Sequence, residues 1–247
     1  MKIVRNIPFG LWFYGVLFTL RPLQKKIRAL KNSGNIQEER RYIREAEDRW
    51  GKALINQIGI DLRVRQLADL PDGPVVFVSN HQSYLDIPVF FVGIQDRQVG
   101  FIAKTDLGKI PGLGPWIKDV RSLFIEREDT RGALKVFEEG ARLLRDGFSL
   151  TIFPEGTRSK GPSMGEFKKG SLRLASKAGV PVVPVTLNGT YRCYEEKGYL
   201  QPATVDFVIH PAIETAGLSK QEASVLTEQV QQIIATQLEE LQKSSVE

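Results

Sequence analysis

The spacing of apolar positions along the chain changes near residue 59. Before it, "IPFGLWFYGVLFTL" (residues 7–20) carries no charge and is apolar on every side, as in a helix buried in protein or lipid. "KNSGN" (31–35) reads as a turn. In the segment 35–59, Ile43, Ala46, Trp50, Leu54 and Ile58 form one stripe at helical spacing, with charges elsewhere. Residues 1–58 are therefore expected to form a two-helix hairpin.

Beyond Gly59 the pattern shortens. "IDLRVRQL" alternates like a strand and "LPDGP" is a turn. Short apolar runs follow at 74–79, 99–103, 122–126, 148–153, 180–187 and 203–210. Between and after them lie helical segments at 84–94, 130–147, 167–179 and 219–243. This alternation predicts an α/β domain over residues 59–247, a mixed, largely parallel central sheet covered by helices. "GKIPGLGPW" reads as a structured loop, and no internal repeat or low-complexity linker is present.

Composition narrows the classes. A hydrophobic fraction of 42% supports a sizeable core. Cys193 is the sole cysteine, which excludes disulfide frameworks and cysteine-rich metal sites. With two histidines and no EF-hand loop, no metal is expected. The net charge of +5 admits an anionic partner: nucleic acid, a lipid surface or a phosphorylated substrate.

The placement of charge is more telling. No acidic residue occurs from Met1 to Gln37, while Lys2, Arg5, Arg21, Lys25, Lys26, Arg28 and Lys31 are basic. A helix over 7–20 would be about 21 Å long, against a hydrocarbon thickness of about 30 Å, too short to span. No small-x-small cleavage pattern follows it. Aromatics with basic flanks fit a helix in one leaflet, so peripheral or monotopic attachment to an anionic membrane surface on the cytoplasmic face is expected. The alternative is a core helix covering the main domain. Nucleic acid is not expected as a partner, because the basic residues mix with membrane-type aromatics and form no recognition motif.

Candidate chemistry gathers where strands end. "VVFVSN" runs into His81, "GFIA" into Lys104, "SLFIE" into Arg127 and "LTIFPEGT" into Arg158. In open α/β sheets the binding crevice lies at the carboxyl ends of strands. His81 with Asp86 could form a base and its orienter if a helix starts near Ser83 and the ring folds back onto the carboxylate. A capping loop with a hydrogen-bonded histidine explains the same residues, "SYLD" having the shape of a capping box. In "FPEGTRS", Gly156 can take positive φ, and Thr157, Arg158 and nearby backbone N–H groups suit an anion. Glu155 would hold an arginine or a substrate hydroxyl, and Lys168 and Lys169 follow. Ser163, Asp206 and His210 stand in hydrolase order without hydrolase context, since the apolar strand ends at Phe153 and no sharp elbow carries the serine.

Taken in order, "NHQSYLD", "FIER", "FPEGTRS" and "VPVVPV" resemble the four blocks of the 1-acyl-glycerol-3-phosphate acyltransferase family, over about residues 60–210. The resemblance departs at His210–Pro211, where a glycine before the proline would be expected. It implies transfer of a fatty acyl group from acyl-CoA or acyl carrier protein to the 2-hydroxyl of lysophosphatidic acid, giving phosphatidic acid. Glycerol 3-phosphate or another lysophospholipid is the alternative acceptor. His81 would be the base and Asp86 its orienter, with no acyl-enzyme and no cofactor besides the thioester co-substrate. Lys104, Arg127 and the turn of Glu155, Gly156, Thr157 and Arg158 would hold the glycerol phosphate. A backbone N–H near Gly156 is the expected oxyanion donor.

Overall fold

The computed structural model describes residues 2–126 and 130–244. Seven strands form one sheet: β1 (Ile60–Gln66), β2 (Val76–Ser79), β3 (Val99–Lys104), β4 (Leu123–Ile125), β5 (Ser149–Ile152), β6 (Val182–Asn188) and β7 (Ala203–Ile209). Their order is β1-β7-β6-β2-β5-β3-β4, and every neighbouring pair is parallel except β6 with β7. The expected mixed, largely parallel sheet is present. Strands β2, β5 and β6 are buried at every position, which explains why they read as unbroken apolar runs and not as alternations. Strand β1 lies at one edge, where Asp61, Arg63 and Arg65 stay exposed and discourage further pairing.

The hairpin before β1 has a broken first arm. It consists of α1 (Lys2–Thr19) and α2 (Arg21–Ser33), and α3 (Ile36–Ile58) returns. Pro22 sits in the first turn of α2, where it cannot donate to the turn before it, so the helix must restart there. The turn falls at Gly34 and Asn35, as expected from "KNSGN", with the Asn35 side chain capping α3 through the Glu38 N–H.

The five stripe residues of α3 are all buried. Trp50 meets Phe13 of α1, Phe91 of α4 (Asp86–Gly93) and Trp116 of α5 (Leu113–Asp119), with ring centroids 6.1, 5.6 and 6.4 Å apart. The polar face of α3 is less exposed than its charges imply. Glu39 takes a two-pronged ion pair from Arg121 at 2.6 and 2.8 Å. Glu47 is fully buried and accepts the Val99 N–H with both oxygens. Burial pushes its carboxyl well above the usual range. One continuous core therefore runs from Leu17 through α3 into the sheet.

Two local expectations change. "GKIPGLGPW" is not only loop: a 3₁₀ turn covers Thr105–Lys109 and α5 follows, because burial of Trp116 against Trp50 organises it. The helix expected over 167–179 shrinks to α7 (Arg173–Ala178). Upstream of it, backbone donors are taken by distant partners: Phe167 N–H by the Gln231 side chain and Lys168 N–H by Pro154 O. Helices α6 (Thr130–Arg145) and α8 (Lys220–Ser244) match the remaining helical segments.

His210 follows β7 and is nearly buried, its Nε2 at 2.8 Å from the Thr186 hydroxyl. Asp206 is instead bonded by the Asn188 side chain, and Ser163 is exposed, so these residues form no triad. Burial, with Arg65 nearby, pushes the His210 imidazole down to about 4. Its ordinary value is near 6.5, so the fold favours the neutral ring. That contribution is complete above about pH 6.5 and is lost as pH falls toward 4. We predict that His210→Gln flattens the loss of stability between pH 6.5 and 4 relative to the parent chain. Urea unfolding midpoints at several pH values check this; parallel curves for the two chains would refute it.

Candidate active site

β2 ends at Ser79, but the Asn80 side chain prolongs the ladder. Its Nδ2 donates to Leu187 O at 2.8 Å, and its Oδ1 accepts the Leu187 N–H at 2.9 Å. The chain thus leaves the sheet at a fixed point, and His81 emerges at the carboxyl edge. The His81 peptide is gripped from both sides. Its N–H donates to Glu155 Oε1 at 2.6 Å, and its carbonyl accepts the Ser159 N–H at 2.8 Å. The ring stacks on Phe153, centroids 4.1 Å apart and planes 16° from parallel.

His81 Nδ1 lies 2.6 Å from Asp86 Oδ2. That oxygen also accepts the N–H groups of Gln82 and Ser83 at 2.8 and 3.0 Å, and Oδ1 accepts the Thr190 hydroxyl at 2.5 Å. A carboxylate ringed by donors is an acceptor toward the ring as well. Nδ1 therefore carries a proton, and in the neutral ring Nε2 keeps the free lone pair. The helix begins at Asp86 and not near Ser83. Only half of the capping box forms: Asp86 takes the Ser83 N–H, while Ser83 Oγ accepts from Leu85 and not from the Asp86 N–H. The ring does fold back onto the carboxylate, as the base-and-orienter reading requires, and the turn holds it there.

The second stretch supports the first. Glu155 is buried and uses both oxygens on backbone, Oε1 on His81 and Oε2 on the Gly165 N–H at 2.8 Å. Burial raises its carboxyl above the usual range, against the pull of those two N–H groups. It is occupied by its own loops, where an arginine or substrate hydroxyl was expected. Gly156 adopts φ +69°, and a Cβ there would lie 2.8 Å from Lys168 Nζ. Its N–H closes the turn onto Phe153 O at 3.0 Å, so it is not free to meet an oxyanion. Thr157 is exposed.

Arg158 Nη1 donates to Glu195 Oε1 at 2.7 Å, and the guanidinium lies 3.4 Å from the centre of the Tyr84 ring. Glu195 also accepts the Tyr84 N–H at 3.2 Å. Lys104 ends β3 on the same edge and pairs with Asp106 at 2.6 Å. Arg127 lies outside the described residues. Sequence reasoning missed Gln82, although it lies within the quoted block beside His81, and missed Thr190 and Glu195, which carry no motif spacing and reach the site only through the fold. Cys193 is close enough to Asp86 and Glu195 to feel their charge, but burial above all pushes its thiol up to about 12. It stays protonated and is no nucleophile.

A histidine steered by a buried carboxylate, with an arginine beside it at the carboxyl edge of an α/β sheet, suits transfer of an acyl group to a hydroxyl. The family model described as Acyltransferase matches residues 61–188. The chain belongs to that family. Its relatives are 1-acyl-sn-glycerol-3-phosphate acyltransferases, the group named by the motif resemblance. One from Chlamydomonas reinhardtii is 42% identical over 58% of this chain and 43% of its own length. The alpha form from Mus musculus is 33% identical over 74% and 65%, and one from Pseudomonas aeruginosa is 34% identical over 64% and 62%. The chain thus spans less than half of the algal relative and under two thirds of the others. The crystal structure of the 1-acyl-sn-glycerophosphate acyltransferase PlsC from Thermotoga maritima superposes with a TM-score of 0.80 at 30% identity, over 98% of both chains.

Two substitutions test the support around His81. Glu155→Gln sets an amide NH₂ against one of two backbone N–H donors, which should cost about 1–3 kcal/mol of stability and lower turnover. Unchanged unfolding and turnover would show that the clamp is dispensable. Arg158→Ala leaves the buried Glu195 carboxylate unpaired and should cost about 3 kcal/mol, largely recovered by adding Glu195→Gln. Denaturant unfolding of the single and double variants measures both.

Proposed function

We propose that the chain transfers a fatty acyl group from a thioester, acyl-CoA or acyl carrier protein, to the 2-hydroxyl of 1-acyl-glycerol 3-phosphate, giving phosphatidic acid. The observation that carries this reading is the 2.6 Å contact between His81 Nδ1 and Asp86, which leaves Nε2 as the base. As the hydroxyl oxygen attacks the thioester carbonyl carbon, Nε2 takes its proton. The new C–O bond forms a tetrahedral adduct, which collapses by breaking the C–S bond. The departing thiolate then recovers the proton from the imidazolium. The substrate hydroxyl is the nucleophile, so no acyl-enzyme is required.

Arg158 is the first candidate for the acceptor phosphate. A guanidinium has five N–H donors, and the one hydrogen bond described for it takes only Nη1. Lys104, at the end of β3, is a further candidate, as is Arg127, which lies outside the described residues.

Membrane attachment is part of the same reading. Along α1, Ile7, Leu11, Tyr14 and Phe18 are 53, 73, 48 and 62% exposed and recur at helical spacing. The opposite side carries Phe9, Phe13 and Leu17 into the core. The inner face fits the core-helix reading, and the exposed apolar face supports the membrane reading. No helix among the described residues is long and apolar enough to cross a membrane, which fits insertion into one leaflet. Asn6 of α1 is hydrogen-bonded to Gly198 and Leu200, in the loop that carries Glu195. The apolar face and the acceptor site are thereby tied together, as a lipid substrate requires. An anionic cytoplasmic leaflet would suit the basic flanks.

His81→Ala should lower acyl transfer from acyl-CoA to lysophosphatidic acid by at least ~10²–10⁴-fold. His210→Gln should leave it nearly unchanged; a fully active His81 variant would remove the base. Leu11→Glu with Phe18→Glu should abolish flotation with anionic vesicles while leaving the fold intact, since both side chains point outward. High salt alone should not detach the parent chain. If the double variant floats normally, the membrane surface lies elsewhere. Deleting residues 1–35 is a poorer test, because it strips Phe13 and Leu17 from Trp50 and the core.

A further inference from the structure

The geometry points to Thr190 as a positioning residue of the acyl-transfer relay, donating its hydroxyl proton to the face of Asp86 turned away from His81. This rests on the reading of His81 as the base. Thr190 is fully buried, and its Oγ1 lies 2.5 Å from Asp86 Oδ1. The other polar atom within reach is Gln82 Oε1 at 3.4 Å, which already accepts the Gly189 N–H at 2.9 Å. Both neighbours are acceptors, and the hydroxyl has one proton. The shorter contact, to the carboxylate, takes it.

The chain builds this contact with some care. Thr190 opens a short 3₁₀ helix (Thr190–Cys193) directly after β6, reached through Gly189 at φ +104°. A Cβ on Gly189 would lie 2.4 Å from the Thr204 carbonyl oxygen, so only glycine lets the chain turn there. That turn swings Thr190 back over the amino end of α4. Gln82 locks it by binding the Gly189 N–H from the residue next to His81.

The consequence for chemistry follows from the division of labour on Asp86. Oδ2 serves His81 and two backbone N–H groups, while Oδ1 has Thr190 as its hydrogen-bond donor among the described residues. The Thr190 bond fixes the rotation of the carboxylate and disperses its charge. Without it, Oδ1 is buried and unsatisfied, and the carboxylate leans harder on a protonated ring. The base then holds its proton to higher pH. The other ionisable groups around the pair are Glu155 against the His81 backbone, the Arg158–Glu195 pair beside Tyr84, and the Cys193 thiol. The Thr190 hydroxyl is hydrogen-bonded to none of these groups.

The test is the pH profile of kcat/KM for lysophosphatidic acid with a saturating thioester donor, on the full chain. Thr190→Val should lower kcat about ten- to hundredfold, the rate equivalent of one hydrogen bond to a charged group, with little change in KM. Its acid limb should move to higher pH. Thr190→Ser, which keeps the hydroxyl, should restore both the rate and the limb. If Thr190→Val does not fold, Thr190→Ala, which leaves space where the hydroxyl was, should show the same displaced limb. A limb that stays in place in a folded Val or Ala variant, or a Ser variant as impaired as Val, would overturn the role. His81→Ala is run alongside. If it retains activity, the reading of the base has failed; if it is inactive while Thr190→Val behaves as the parent, only the role of Thr190 has.

Discussion

A carboxylate sealed away from water is tolerable only when donors surround it, and the organisation of this site follows from meeting that demand at Asp86. Its partners come from two places: the ring of His81 and two N–H groups of the loop after β2, and Thr190 after β6. None is adjacent to all the others until the sheet has formed. Satisfying the carboxylate and fixing the His81 ring are therefore coupled. The positive end of α4 favours a negative charge at the same spot.

The same rule recurs around it. Glu155 is buried because it joins the His81 peptide to Gly165, turning the Phe-Pro-Glu-Gly loop into a clamp on the histidine. Glu195 is buried because it holds Arg158 and the Tyr84 N–H. Glu47 and Glu39 attach α3 to β3 and to the turn before β4. Four acidic side chains thus act as fasteners within a protein whose net charge is positive. Each fixes a loop or helix that the apolar core alone would leave free to slide, because hydrophobic contacts have no direction and hydrogen bonds do.

The N-terminal helices obey a different constraint. An apolar run with no polar face must bury two sides, and a single layer of protein can cover only one. α1 gives Phe13 and Leu17 to the core and leaves Leu11 and Phe18 outward. The bond from Asn6 to the loop at Gly198 fixes where that outward face lies relative to Glu195 and Arg158.

The order of elements, the parallel sheet, the buried stripe of α3 and the pairing of His81 with Asp86 were legible in the sequence, because each depends on spacing within one segment. Periods of two and 3.6 report which side of an element faces the core, and His81 with Asp86 lie within one loop. What lay beyond reach was every partner set by distance along the chain. Thr190 and Glu195 carry no pattern, since a threonine after one strand and a glutamate in a loop acquire meaning only when β6 lies beside β2. The role of Glu155 was misjudged for the same reason: its partners are backbone amides, which leave no trace in the identity of the residues that own them. The break at Pro22 is local, yet the expected two-helix hairpin did not include it; the shortening of α7 was beyond reach, because distant acceptors took the amides a helix would have used. Sequence determined which surfaces seek burial; tertiary structure decided where each polar group finds its partner, because a hydrogen bond needs two atoms within about 3 Å and the chain alone does not bring them there.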